Sequence, residues 1–262
     1  MSDIIGPGSV SQIVRDSSMR GLSELVDTED PGIEKVREWM RGSVNQCILL
    51  PPSAEREQVL LQTQVTTRST MGAIAYETGG VMVDGGWLRF LGSGHPGLTR
   101  TLPAWNQGRS SGFYLVADDA VGGFFAINDG AFGEDARNMY YWAPDSLDWE
   151  PMKIGFTDFF IWALSDRLAK FYESLRWASW REDTATLSGD SCFGFYPFLW
   201  TREGSVSVSH RAPVPAREAY DMKFDLLRQL SQGNPEPSAA PNGGPGTRIG
   251  NSGVSEGPPS VS

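Results

Sequence analysis

Residues 112–130 read GFYLVADDAVGGFFAINDG, and this stretch carries the strongest indication of the fold. Two apolar runs flank DDAVGG, and Asp and Gly are residues that tight turns favour. The stretch therefore predicts a β-hairpin. A second pair of strands follows, in MYYWA (139–143) and WEPM (149–152). Successive hairpins of this kind indicate a mainly antiparallel sheet.

The strand pattern also extends upstream. MGAIAYETGGVMVDGGWLRFLGSG (71–94) mixes β-type residues with Gly-rich turns. LPAWNQGRSS (102–111) has no regular period and is interpreted as an irregular connector. Residues 189–200 contain a short aromatic strand, FGFYPFLW. Within residues 71–94 we predict three strands, near residues 72–76, 80–84 and 86–91.

Apolar residues at helical spacing indicate four helices around this sheet. In the longest, aromatic residues recur at i, i+3 and i+4, and Thr157 is a capping candidate. Asp30 is predicted to cap the first helix, and Ser53 the second. The predicted helices lie within residues 31–41, 51–65, 155–177 and 216–230.

The composition is that of a globular protein, since 40% of the 262 residues are hydrophobic and 21% are charged. We predict one α+β domain at residues 19–231, with a mainly antiparallel β-sheet and flanking helices. Residues 1–18 are a Ser- and Gly-rich arm, and residues 232–262 are a Pro-, Gly- and Ser-rich tail. The arm is predicted to be flexible and disordered from its Ser and Gly content. The tail has almost no large apolar side chains to offset its ordering entropy, so it is predicted to be disordered. Met1 and Met19 each fit as the start of translation.

The formal net charge of −10 opposes binding to phosphate backbones, and the sequence contains no run of Lys or Arg. The acidity suits solubility or the capture of a basic partner. The N-terminus lacks the features of a signal peptide, and no stretch is apolar enough to span a membrane. We therefore predict a cytoplasmic protein that binds neither nucleic acid nor membrane. Cys47 and Cys192 fit a reducing compartment, although the sequence also allows a single disulfide between them.

GSGHPG (92–97) has the G-x-G-x-x-G spacing of a dinucleotide-binding loop. That motif requires a helix that begins within the loop and faces the pyrophosphate with its N-terminus. Here Pro96 precedes the third glycine, Pro103 follows soon after, and no apolar stripe of helical period is present. The loop is therefore interpreted as a tight turn, and no nucleotide or other cofactor is predicted.

Catalytic and metal-binding patterns are weak. His95 and His210 are the only histidines, and no G-x-S-x-G elbow accompanies them. Two histidines and two distant cysteines are too few and too scattered for a zinc site. The acidic turn NDGAFGED (128–135) departs from EF-hand spacing. We predict no catalytic residues and no metal site.

Polar side chains nevertheless lie around the glycine loop and the turn at Asp118 and Asp119. Glycines let a ligand approach the backbone, and an Arg, a His and two carboxylates could form a polar pocket there. The candidate ligand or partner surface consists of Trp87, Arg89, His95, Trp105, Asn106, Asp118 and Asp119.

Several motifs resemble one bacterial family whose members carry only a domain-of-unknown-function label. The resemblance covers about residues 19–230 and supplies no catalytic residues. The motifs are YETGG, GGWLRFLGSGHPGL, LPAWN, GFYLVADDAVGGFFAINDGAFG, YYWAPDSLDWEPM, FTDFFIWAL, FYESLRW and YPFLWT.

A more distant likeness is to the SUKH superfamily. VADDAVGGFFAIN (116–128) followed by GFTDFFIWAL (155–164) resembles its core pattern. This resemblance implies an α+β domain whose central sheet is packed by helices. Many bacterial members are immunity proteins that bind and neutralise toxins. The Gly-rich hairpins of residues 76–97 depart from the SUKH pattern.

These observations favour a non-enzymatic protein-binding module. Its sharpest form is an immunity protein that neutralises a basic toxin, because an acidic surface speeds the capture of a basic partner by electrostatic steering. The alternative is an enzyme or small-ligand binder with a polar pocket around GSGHPG. Homo-oligomerisation through aromatic surface residues is a third hypothesis.

Overall fold

The computed structural model describes residues 19–232. Its strands are β1 (Cys47–Leu50), β2 (Gly80–Val83), β3 (Leu88–Leu91), β4 (Phe113–Asp119), β5 (Phe124–Asn128), β6 (Asn138–Ala143), β7 (Asp148–Gly155), β8 (Ser191–Tyr196) and β9 (His210–Pro215). Its helices are α1 (Leu22–Leu25), α2 (Gly32–Arg41), α3 (Arg56–Thr63), α4 (Thr70–Glu77), α5 (Leu102–Asn106), α6 (Phe156–Ala163), α7 (Arg167–Phe171), α8 (Trp180–Ala185) and α9 (Ala216–Gln232), with a 3-10 turn at Glu173–Leu175.

Strands β1 to β7 form one antiparallel sheet in which each strand pairs with the next in sequence. Each strand thus folds back onto its predecessor, which is the arrangement that consecutive hairpins favour. The hairpin predicted at residues 112–130 is confirmed as β4 and β5, with Asp118 opposite Phe124. The predicted α+β class, with a mainly antiparallel sheet and flanking helices, is also confirmed.

Strands β8 and β9 form a separate antiparallel pair, and α9 packs against both. The predicted aromatic strand is confirmed as β8, although it ends at Tyr196. The predicted last helix is confirmed as α9. Three cross-strand pairs share one face of this hairpin: Cys192–Val214, Gly194–Ala212 and Tyr196–His210.

A large hydrophobic core lies between the seven-stranded sheet and the helices. Phe90 of β3 packs against Phe159 and Phe160 of α6, with both ring centroids 5.1 Å away. Phe125 of β5 also contacts Phe159, at 4.6 Å. All four rings are fully buried. The aromatic face predicted for this helix is therefore the face that it presents to the sheet.

Residues 72–76 form part of helix α4, so the strand predicted there is wrong. The helix follows Ser69, whose hydroxyl oxygen accepts a hydrogen bond from Gly72 N at 3.0 Å. The apolar run behind this cap is short and buried, and such a run has no period that separates a strand from a buried helix. The strands predicted near 80–84 and 86–91 are confirmed as β2 and β3.

The predicted capping residues do not cap their helices. Asp30 forms an ion pair with Lys35, and Pro31 occupies the N-cap position of α2. The hydroxyl of Ser53 donates to a backbone carbonyl in the glycine loop. Thr157 lies inside α6, which begins after a glycine. Contacts distant in sequence use these polar side chains instead, since Asp30 also pairs with Arg68 and the Thr157 hydroxyl bonds to that of Thr70.

The long helix predicted over residues 155–177 is interrupted after α6. The segment before β1 binds the carbonyls at the end of α6, since Asn45 Nδ2 donates to Ala163 O at 2.8 Å and to Ser165 O at 2.9 Å. These tertiary bonds end the helix where its sequence period continues. The short strands β1 and β9 and the one-turn helix α5 were not predicted.

The predicted tail begins at residue 232, which still belongs to α9. The rest of that tail and the predicted arm at residues 1–18 lie outside the described residues, so the domain boundaries stay predictions. Between residues 19 and 232, no helix is both long and apolar enough to cross a membrane. Cys47 and Cys192 are free thiols.

Candidate functional site

Arg89 and Asp118 lie opposite each other on the paired strands β3 and β4. Arg89 Nε donates to Asp118 Oδ1 at 2.6 Å, and both side chains are 1% exposed. The two Nη atoms of Arg89 donate to the carbonyls of Ser191 and Asp119, each at 2.8 Å. Every side-chain nitrogen of Arg89 therefore has a protein acceptor, and this pairing offsets the cost of burying its charge.

Arg100 extends the same network toward the surface. It donates to Asp118, and also to Asp190 at 3.1 Å. Its guanidinium lies 4.7 Å from the centre of the Trp105 ring. Asp190 also accepts hydrogen bonds from the backbone and hydroxyl of Thr99. The two arginines and two aspartates thus compensate one another and connect β3 and β4 to the start of β8.

Asp119 is completely buried and accepts four hydrogen bonds. Its Oδ1 accepts from Val121 N at 3.0 Å and Gly123 N at 2.7 Å. Its Oδ2 accepts from the hydroxyls of Tyr141 at 2.9 Å and Tyr172 at 2.7 Å. We call these five residues the Asp119 cluster. A Cβ atom at position 123 would lie 2.4 Å from Asp119 Oδ2, so the cluster requires glycine there.

The electrostatics of the Asp119 cluster follow from its burial. Burial raises the pKa of the Asp119 carboxyl, and the hydrogen bonds that it accepts offset part of this rise. Burial, and then the neighbouring aspartate, hold the pKa values of Tyr141 and Tyr172 well above their ordinary value. Both hydroxyls therefore stay protonated as donors. A carboxylate whose acceptor positions are occupied in this way serves to connect strands and helices.

The other predicted site residues lie in different surroundings. Trp87 is buried and contacts Tyr172, with ring centroids 5.4 Å apart. Asn106 bonds to both the N–H and the carbonyl of Leu115, which fixes α5 against β4. His95 is half-buried in its own turn, where its Nδ1 accepts from the glycine two residues later.

The structure therefore brings Arg89, Asp118 and Asp119 together, with Trp105 beside them through Arg100. His95 and Asn106 form no hydrogen bond to this network. The glycine loop turns back on itself between His95 and Leu98, and no helix begins until residue 102. The helix α5 therefore starts five residues beyond the third glycine, whereas a dinucleotide-binding loop has its helix begin within the motif. The role of the seven residues as a ligand or partner surface stays a prediction.

A cavity lies elsewhere, between the β8–β9 hairpin and α9. It encloses about 380 Å³, within the size range of small-ligand sites. Gly194 and Ala212 face each other on its floor, and these small residues leave the space that a large cross-strand pair would fill. We call this cavity the aromatic groove. Its lining includes Tyr196, Phe198, Leu199, Trp200, Val214 and Met222.

The outer wall of the aromatic groove is built from stacked rings. Phe198 and Trp200 lie parallel, with centroids 4.3 Å apart and planes 8° apart. Tyr196 meets Phe198 edge to face at 6.1 Å, and it is 72% exposed. Aromatic surface of this kind presents a large apolar contact area with little side-chain entropy to lose. The groove is therefore chemically suited to an apolar or aromatic ligand.

Lys223 reaches the inner end of the aromatic groove from α9 and is only 5% exposed. Its Nζ donates to Gly122 O in the turn between β4 and β5, and it lies 5.6 Å from the centre of the Phe124 ring. Burial lowers the pKa of Lys223, against the opposing influence of Cys192 and of more distant carboxylates. Burial also raises the pKa of the Cys192 thiol to about 11. Neutral pH therefore leaves that thiol uncharged.

Sequence reasoning missed the aromatic groove, although one signal for Lys223 was present. In AREAYDMKFDLLRQL, the lysine falls at i+7 from Ala216 and i+3 from Tyr220, on the stripe that buries apolar side chains. A lysine on the apolar face of a helix is unusual, because its charge must be desolvated. The cavity itself depends on how the hairpin meets the helix, which no local pattern encodes.

Metal binding gains no support from the geometry. Among residues 19–232, no three His, Cys, Asp or Glu side chains converge in a way that could hold a metal ion.

Comparison with known proteins identifies relatives in bacteria. Residues 22–219 match the protein family described as "Protein of unknown function DUF2625". The uncharacterized protein YbfG of Escherichia coli (strain K12) is 41% identical over 218 residues, which cover 82% of this chain and all of that protein. An uncharacterized protein of Haemophilus influenzae is 35% identical over 231 residues, covering 81% of this chain and all of that protein. The predicted resemblance to a bacterial family of unknown function is thus confirmed.

Proposed function

The chain belongs to the DUF2625 family, and we propose that it is a binding protein for a small, mainly apolar ligand held in the aromatic groove. The observation that carries this proposal is the coincidence of an open cavity, a wall of stacked aromatic rings and small residues on the cavity floor. Cores normally close such spaces, because each unfilled volume forfeits contacts. A ligand of matching shape would restore them.

The test is the binding of a neutral apolar dye, N-phenyl-1-naphthylamine, followed by its fluorescence. Ala212→Trp should fill the groove from its exposed floor and weaken binding about tenfold or more, equivalent to about 1.4 kcal/mol or more. Ala54→Trp, at an exposed position before α3, is the matched control and should leave affinity unchanged. Saturable binding that survives in Ala212→Trp would contradict the proposal.

A second candidate is the non-enzymatic protein-binding module predicted from the sequence. The observation that favours it is Tyr196, whose ring is 72% exposed on the rim of the groove, where it could anchor a partner. The sharper form, an immunity protein that neutralises a basic toxin, is supported by the net charge of −10 and by the SUKH resemblance.

Capture from a lysate and dye binding, both measured with Tyr196→Ala, distinguish the two candidate functions. A cytoplasmic protein partner should be retained from a lysate, lost at moderate salt if it is basic, and lost with Tyr196→Ala. The apolar dye should still bind Tyr196→Ala, because the floor of the groove and the Phe198–Trp200 wall remain. A captured protein that is retained at moderate salt and also by Tyr196→Ala would contradict a basic partner bound at this rim.

A further inference from the structure

We propose that the Lys223 amine forms an imine with a carbonyl group carried by the ligand of the aromatic groove. The inference rests on the proposed function, because the groove must first hold the apolar body of that ligand. It assigns the ligand a chemical class, an aldehyde or ketone on an apolar frame.

The surroundings of Lys223 are unlike those of the other lysines. The sequence has four, and Lys35 and Lys170 are exposed and paired with aspartates at 3.1 and 2.7 Å. Lys153 is exposed on β7. Lys223 is buried and has a backbone carbonyl as its hydrogen-bond acceptor, and no carboxylate of the described residues lies within ion-pair distance. An ammonium with so few acceptors remains poorly satisfied beside a cavity.

The groups facing Lys223 favour the neutral amine. From β8, Cys192 contributes a thiol that stays protonated at neutral pH because burial raises its pKa, so at that pH it supplies no counter-charge. From β4, the Asp119 carboxylate already accepts hydrogen bonds from four other donors. Asp145 influences the pKa of Lys223 only by its charge, without an ion pair. Burial therefore dominates and lowers the pKa of Lys223, which raises the fraction of amine that can act as a nucleophile.

The reaction balances without any co-reactant. The lone pair of Lys223 Nζ attacks the carbonyl carbon and forms a C–N bond, while the electron pair of the C=O π bond moves to oxygen. The carbinolamine then loses that oxygen as water, which carries away the two protons of the amine. An imine between Nζ and the ligand carbon remains, and the apolar lining of the groove holds the ligand frame beside the amine.

The experiment uses the full chain, 2-naphthaldehyde as probe and cyanoborohydride to reduce any imine to a stable amine. Peptide mapping then gives the extent of labelling at each of the four lysines. We expect Lys223 to be labelled at least tenfold faster than Lys35, Lys153 or Lys170 near neutral pH. Lys223→Arg, which keeps the charge but forms no such adduct, should remove this fast label. Ala212→Trp should slow it at an unchanged Lys223.

Each outcome decides a different point. Equal labelling of all four lysines, or none at Lys223, while the naphthylamine dye still binds, would overturn the imine and leave the proposed function standing. Wild-type protein that shows neither saturable dye binding nor fast labelling at Lys223 would overturn both proposals. If Lys223→Arg does not fold, as judged by circular dichroism, the Ala212→Trp comparison still tests whether fast labelling depends on the groove.

Discussion

The Asp119 cluster and the aromatic groove each contain a buried ionisable side chain, but the two side chains differ in how many hydrogen-bond partners they have. Asp119 accepts four hydrogen bonds and has no exposed surface. Lys223 has a backbone acceptor and borders an open cavity. A buried charge with complete partners organises the fold around it, whereas a poorly compensated charge lowers stability. The contrast separates a group that holds the sheet together from one that is available to a ligand.

The largest effect should come from removing Asp119. Asp119→Ala leaves two backbone N–H groups and two tyrosine hydroxyls buried without their acceptor, and we expect the free energy of unfolding to fall by about 3–5 kcal/mol. Urea unfolding measures this loss. Asp225→Ala, which removes an exposed ion pair with Arg228, is the control and should change stability by less than about 0.5 kcal/mol. Similar losses in the two variants would break the comparison.

A slightly smaller loss is expected in the neighbouring network. Arg89→Met leaves Asp118 with Arg100 as its remaining ion-pair partner and should lower the free energy of unfolding by about 3 kcal/mol. The double variant Arg89→Met/Asp118→Leu also removes the carboxylate that has lost one of its two arginine partners, so it should recover part of that loss. A double variant less stable than Arg89→Met would show that the remaining Asp118–Arg100 pair stabilises the fold without Arg89.

The smallest effect should have the opposite sign. Lys223→Met removes a poorly compensated buried charge while keeping an unbranched side chain, and we expect the free energy of unfolding at neutral pH to rise by about 1 kcal/mol. Lys170→Met, at an exposed position, should change it by less than about 0.5 kcal/mol. A large loss in Lys223→Met would place Lys223 with Asp119 among the groups that hold the fold.

The difference in free energy of unfolding between wild type and Lys223→Met should depend on pH. The pKa of Lys223 is lowered in the folded state from its ordinary 10.5, so between the two values the unfolded chain binds more protons. The cost of the buried ammonium is therefore complete below the folded pKa and shrinks as the pH rises toward 10.5. The free energies of unfolding of wild type and Lys223→Met should therefore approach each other as the pH rises through this range. A constant or growing gap would contradict the assigned direction.

Sequence reasoning predicted the parts of the fold whose pattern is local. The β4–β5 hairpin carries its turn residues and both apolar runs within 19 residues, and the aromatic face of α6 has a clear helical period. Residues 72–76 were mistaken for a strand because a short, fully buried apolar run has no distinguishing period. β1 is only four residues long and depends on β2 for its hydrogen bonds.

The site was harder to predict than the fold. Arg89, Asp118 and Asp119 were chosen for their chemistry, but sequence does not show that their hydrogen-bonding groups are already paired within the protein. The aromatic groove joins Gly194, Ala212 and Lys223, which are distant in sequence and meet only when the hairpin packs on α9. Two small residues in a strand carry no signal of a cavity until their cross-strand pairing is known.

The most direct test of the central claim is a titration with N-phenyl-1-naphthylamine, followed by NMR of methionine methyl groups labelled with ¹³C. The sequence has eight methionines, of which Met222 lines the groove and Met139 is fully buried in β6. We predict a saturable shift of the Met222 methyl signal, with Met139 unchanged. An unperturbed Met222, or equal shifts at both methyl groups, would contradict binding in the aromatic groove.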